Sequence, residues 1–253
     1  MVNNKAVRFL FAACGCLLTT ACIAQPQDDL HPQPQAAGIP PPHKAEFKKA
    51  THYHGINAPA GQLKDSLDQL EAKASAGDAK AAATLFAGLN QCISMNGATK
   101  VDFNNHCAGI SQFDMDSAGK WLTVAAEGGN ADAQYTYAAG GYEQVIGAIG
   151  SDAKSKTQLE NYVTTSRTYL INLAQQCNFD AIGEIAEDAS TNGLLFGADQ
   201  ETGYKYAVVE SIISRDTTAG DWLVPKLEGK LTSQSHVPNL RRDAIQFVHQ
   251  YCE

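Results

Sequence analysis

Between Asp116 and Ala138 the chain reads DSAGKWLTVAAEGGNADAQYTYA. Trp121, Leu122, Val124, Ala125 and Ala126 recur at helical spacing and cover one side of a helix. Gly128 and Gly129 supply a left-handed stop, and the Asn130 side chain is placed to cap a second helix that begins at once. The pattern predicts two antiparallel helices joined by a tight turn. Two helices approach closely only where the facing side chains are small, and Ala125, Ala126, Ala131 and Ala133 are expected to supply that contact.

The same pattern returns elsewhere. In TYLINLAQQCNFDAIGEIA, Thr168 to Ala186, Tyr169 takes the place of Trp121, Ala174 that of Ala126, and Asn178-Phe179-Asp180-Ala181 that of Asn130-Ala131-Asp132-Ala133, at an offset of 48 residues. Gly77-Asp78-Ala79-Lys80-Ala81 matches Gly129 to Ala133 at an offset of 52. A partial copy, GYKYAVVES, puts Tyr206 37 residues after Tyr169. Periods of this size belong to paired-helix solenoids, in which each unit buries its apolar face only by stacking on its neighbours. The plainer alternative is a helical bundle, and the repeated junction favours the solenoid.

The junction AAEGGNADAQY resembles that of Sel-one-like repeats, relatives of the tetratricopeptide repeat, over roughly Gly61 to Ser214. Insertions at Asn90 to Met115 and Gly141 to Gln158 replace the glycine-rich loop usual inside such a repeat. The resemblance implies an all-α, α/α superhelical solenoid that scaffolds or regulates other proteins, with no shared catalytic residues.

Outside this region the pattern changes. Lys5 and Arg8 precede a short apolar run, Phe9 to Leu18, and then small residues, so residues 1–24 read as a secretory signal peptide, too short for a membrane span. Two processing routes fit: cleavage after Ala24, or lipid attachment at Cys22, for which Thr19 is an imperfect match. Six of the nine prolines lie between Gln25 and Lys49. Residues 25–58 are therefore expected to be a disordered, proline-rich tether, because such a segment cannot bury enough apolar surface to fold. Residues 59–253 are left as the helical repeat domain.

Cysteine usage agrees with export. Cys14, Cys16 and Cys22 fall in the signal region, and the folded part keeps Cys92, Cys107, Cys177 and Cys252. A Cys92–Cys107 bond would pin the intervening insertion to the first helix pair, stabilising by about 3 kcal/mol on the chain-entropy model. A Cys177–Cys252 bond would tie the last helix, Asn239 to Tyr251, back to a repeat junction, at about 4.5 kcal/mol. A metal site is disfavoured, since no C-x-x-C or suitable histidine pair accompanies these cysteines.

The net charge is −8. Loss of Lys5 and Arg8 with the signal leaves 17 basic against 27 acidic residues, a net of −10, which argues against nucleic acid as a partner. Candidate chemistry is sparse. Ser117-Ala118-Gly119-Lys120 and Ser151-Asp152-Ala153-Lys154 fit the S-x-x-K spacing of penicillin-recognising enzymes, but the supporting S-D-N and K-T-G motifs are missing. His52-Tyr53-His54 is expected to be exposed, with no carboxylate near it. His106, His236 and His249 stand alone, with His249 in a packing or capping role. Of the aromatic residues near the junctions, Trp121, Tyr137, Tyr169, Tyr204 and Tyr206 are expected in the core. Tyr135 and Tyr142, assigned to the first helix of a pair, are expected to line a partner-binding groove.

The sequence thus predicts an exported scaffold in the bacterial periplasm, soluble or anchored through Cys22, that holds a protein or peptide partner without catalysis, cofactor or metal. The alternatives are a serine hydrolase or penicillin-binding activity, which the resemblance also implies through disulfide-rich relatives, and a structural envelope lipoprotein.

Overall fold

The strongest local signals, the glycine and asparagine stops, set where helices begin and end in the computed structural model, which describes residues 50–96, 105–141, 153–214 and 217–253. Helix α1 is Leu63–Ser75, α2 Ala79–Asn96, α3 Gln112–Asp116, α4 Ala118–Glu127 and α5 Ala131–Ala139. They are followed by α6 Ala153–Gln175, α7 Phe179–Thr191, α8 Gln200–Ser214, α9 Thr217–Glu228 and α10 Val237–Tyr251, the last entered through a 3-10 turn at Gln234–His236. Among the described residues there is no strand, only isolated bridges at Thr51 with Asn178 and at Gly193 with Gly197. The predicted all-α class holds, and the segment expected to be a signal peptide, together with Cys22, Tyr142 and Ser151, lies outside the described residues.

Three junctions, α1 to α2, α4 to α5 and α6 to α7, are built alike. Each contains one residue with positive φ: Gly77 at 92°, Gly129 at 83° and Cys177 at 57°. The N–H of that residue donates to a buried alanine carbonyl three positions back, of Ala74, Ala126 and Ala174 respectively, at 2.9–3.0 Å. The next residue's N–H reaches five positions back, Asp78 to Lys73, Asn130 to Ala125 and Asn178 to Leu173, completing a Schellman closure. Its side chain then accepts from the third residue of the following helix, Ala81, Ala133 or Ala181. The offsets of 52 and 48 read from the sequence therefore mark one backbone geometry used three times.

Packing follows the chain. Helix α1 lies on α2, α2 on α4, α4 on α5, α5 on α6, α6 on α7, α7 on α8, and α8 on both α9 and α10. The α4 residues Ala118, Trp121, Leu122, Ala125 and Ala126 are all buried, at the i, i+3, i+4, i+7, i+8 spacing of a single stripe. Close approach of neighbouring helices depends on small groups: a methyl added at Gly128 would lie 2.6 Å from Ala79 Cβ. Ala125, Ala126 and Ala133 are fully buried as expected, whereas Ala131 is exposed, because the first residue after the Asn130 cap points off the end of the pair.

Both cysteine pairs form as the spacing predicted, with sulfur separations of 2.09 Å for Cys92–Cys107 and 2.16 Å for Cys177–Cys252. The first holds the returning insertion against α1, where the His106 carbonyl accepts the Leu63 N–H at 2.9 Å, so the insertion caps the helix. The second fastens the end of α10 to the α6–α7 junction, where Phe247 packs 5.5 Å from Tyr206 and 4.8 Å from Tyr251. A buried phenol links the last three helices. Tyr204 on α8 donates to Glu228 on α9 at 2.9 Å and accepts from Arg241 on α10 at 2.7 Å, while Arg241 also reaches Glu228 at 2.6 Å.

Candidate functional site

Residues 51–58, placed by composition at the end of the tether, run as an extended strap against the second helices of three successive pairs. The folded unit thus begins earlier than the boundary at residue 59. Thr51 starts the strap at α7: its N–H donates to the Cys177 carbonyl at 3.1 Å, and its carbonyl accepts the Phe179 N–H at 2.8 Å. That second bond uses a helix-terminal N–H that has no partner within the helix. His52 lies 5.3 Å from the Phe179 ring, with Nδ1 3.4 Å from Asp180. The Tyr53 N–H donates to Asp180 at 2.6 Å and the His54 N–H to Asp132 at 3.2 Å.

Asp180 and Asp132 occupy the same place in their junctions, two residues after the capping asparagine. Successive pairs therefore offer the same carboxylate to successive peptide N–H groups. Tyr53 lies over Tyr135 of α5 with ring centroids 4.7 Å apart, and its hydroxyl shares a 3.0 Å hydrogen bond with Thr136. Ile56 and Ala58 then border a cleft of about 310 Å³ with Phe86, Asn90, Gln91 and Thr136. Gly88 of α2 permits the last approach, since a methyl there would stand 2.8 Å from Leu63 Cδ1 and 3.2 Å from Pro59 Cδ.

The receiving surface is acidic. The Tyr135 phenol is pushed up to about 12, first by burial and then by Glu184 and Asp180, so it stays a neutral hydrogen-bonding ring at physiological pH. The carboxyls of Glu184 and Glu210 lie above the usual range, chiefly through burial and additionally through Glu187, with Asp188 also acting on Glu184. The native state thus holds these protons to higher pH than the unfolded chain. The region loses stability as pH rises through the raised values and recovers it fully below the ordinary value of 4.5. Glu228, held low by Arg241, acts in the opposite sense, and its contribution is lost only as pH falls below 4.5. Glu184→Gln is therefore expected to raise the melting temperature by about 1–2 °C at pH 7.5 and by less at pH 5. Thermal denaturation at the two pH values checks this, and an equal gain at both would contradict it.

The remaining sequence candidates divide clearly. Tyr135 does lie at a surface that receives an extended segment, but on the second helix of its pair, because the Asn130 cap precedes it directly. His52 and His54 are exposed as expected, yet the expectation that no carboxylate is near fails, since the fold brings Asp180 and Asp132 to them from distant positions. The Ser117 hydroxyl donates to the Asp114 carbonyl at 2.6 Å and accepts the Trp121 indole N–H at 3.1 Å, and the Lys120 ammonium lies 4.2 Å over the Trp121 ring. That serine and lysine are thus both engaged with Trp121. His106 is buried against the Gly61 carbonyl at 2.7 Å, His236 meets Glu201 at 2.6 Å, and His249 pairs with Glu253 in the last turn of α10. Tyr137, Tyr204 and Tyr206 are core residues, and Tyr169 is partly buried against that core. Among the described residues no three His, Cys, Asp or Glu side chains stand close enough to share a metal ion, and no helix is long and apolar enough to cross a membrane.

Sequence reading missed the strap and the paired role of Asp132 and Asp180. The available signal was the acidic residue repeated at the same junction position. Comparison with family models, curated proteins and solved structures gives no match.

Proposed function

We propose that the chain is an exported helical-repeat scaffold, built from Sel-one-like pairs stacked as an α/α solenoid, that holds an extended protein or peptide segment in the bacterial envelope. The observation that carries this reading is the strap: one extended segment lies across α7, α5 and α2, with its backbone taken up by equivalent aspartates of neighbouring pairs. The shared geometry of the three junctions supports stacking as repeats. Two disulfides and the signal-like leader support an oxidising compartment, the periplasm, reached by cleavage after Ala24 or by lipid attachment at Cys22.

Photocrosslinking tests the partner. Benzoylphenylalanine at Gln91, beside the strap, is expected to give discrete adducts in the organism that makes the protein, and the same group at Lys156, an exposed position on α6, is expected to give none. No adduct at either site, or the same adducts at both, would overturn the reading. Intact mass from membrane and soluble fractions separates the two processing routes, starting at acylated Cys22 or at Gln25.

A further inference from the structure

The strap is lightly held for a segment with so many partners. Thr51, His52, Tyr53 and His54 are exposed, and Tyr53 keeps 36% of its surface open. Its attachment rests on main-chain hydrogen bonds and two side-chain footholds. One is Tyr53 on Tyr135 and Thr136, and the other is Ile56 packed at the edge of the core beside Phe86. His52 adds a contact with Asp180 and Phe179 through a side chain more than half exposed. The main-chain bonds accept any extended peptide, so the footholds carry the selectivity: an aromatic residue, two intervening residues, then an aliphatic one.

We propose that residues 51–58 are a built-in stand-in for the partner, and that the surface of α2, α5 and α7 takes, in trans, an extended segment of the form aromatic-x-x-aliphatic that displaces them. This rests on the scaffold reading above and names the chemistry of its partner. The strap shares the chain with its receptor and competes at an effective concentration in the millimolar range. A strap closed about nine-tenths of the time raises the apparent Kd of an incoming segment about ten-fold. The acidic rim, with Asp132, Asp180, Glu184 and Glu187, further favours a segment without carboxylates at these positions and with a basic or imidazole group before the aromatic residue.

The probe is a fluorescent peptide of sequence THYHGINA, blocked at both ends, titrated into the full chain by anisotropy. The strap variant Tyr53→Ala with Ile56→Ala is expected to bind it at least ten-fold more tightly than the unaltered chain. Adding Asp132→Ala and Asp180→Ala should abolish binding, as should alanine at the tyrosine and isoleucine of the peptide. Hydrogen exchange on the unaltered chain needs no substitution: excess peptide should accelerate exchange of the strap's own Tyr53 and His54 amides. Equal peptide affinity for both chains, or unaltered amide exchange, would overturn the proposal and make the strap a fixed part of the fold. A dimer that forms on loosening the strap, detected by light scattering, would also overturn it by assigning the surface to exchange between copies. Failed peptide binding with the Gln91 adducts intact removes only the motif, whereas loss of both removes the scaffold reading as well.

Discussion

Replacing Cys177 and Cys252 is expected to lower the unfolding free energy by about 4.5 kcal/mol, the chain-entropy value for a bond closing a loop of this length. The two residues are 75 apart in sequence, and the bond holds α10 against the rest of the helices. The choice of residue at 177 carries a second effect. Cys177 sits at φ 57°, where the equivalent junctions have Gly77 and Gly129. An L side chain in that region costs about 1–2 kcal/mol relative to the right-handed conformation, and glycine does not incur that cost. With Cys252→Ser in both chains, Cys177→Gly is therefore expected to be about 1 kcal/mol more stable than Cys177→Ala. Urea denaturation without reductant reads both effects, because the Cys92–Cys107 bond is then kept in every chain compared. Equal stability of the glycine and alanine variants would mean that the left-handed turn is not retained once the bond is gone.

Trp121→Ala carries the next largest effect, about 3–5 kcal/mol, as for a large aromatic residue deleted from a packed site. Trp121 is 3% exposed, donates its indole N–H to Ser117 and carries the Lys120 ammonium on its ring face. The substitution opens a void between α4 and its neighbours and strips Ser117 of its indole donor. For a chain of this size the loss corresponds to roughly 10 °C in melting temperature. Trp121→Phe keeps most of the buried area and is expected to cost less than half as much, so thermal denaturation of the pair separates packing from the lost hydrogen bond. A melting point unchanged in Trp121→Ala would contradict the burial. Ser117→Ala also weakens this cluster, so a loss of any activity in that variant counts as catalytic only where stability is unchanged.

The helical class, three junctions and both disulfide pairings were legible in the sequence because each depends on local chemistry. Glycine tolerates the left-handed turn, asparagine or aspartate caps the next helix, and alanine allows close packing. Cys177 hides its junction from a search for glycine, and only the matching residues on either side reveal it. Tyr135 is expected on the first helix of its pair from its place near the junction, yet the cap at Asn130 puts it on the second. The small size of Ala131 predicts a contact residue, but its position at the helix start turns it outward. The strap left no periodic signature, because its order comes from partners 78 to 127 residues away in sequence. Composition set the tether boundary by the run of prolines, but it cannot register that a polar, extended segment finds its hydrogen-bond partners on a distant helix end.

Residue 177 serves two attachments at once. Its carbonyl accepts the Thr51 N–H at the start of the strap, and its sulfur is bonded to Cys252 at the end of α10. One residue of the α6–α7 junction therefore fixes the start of the strap and the end of α10 to the same point of the helix array. Both ends of the folded part are made fast at the same post, so a change at Cys177 reaches the strap and the last helix together.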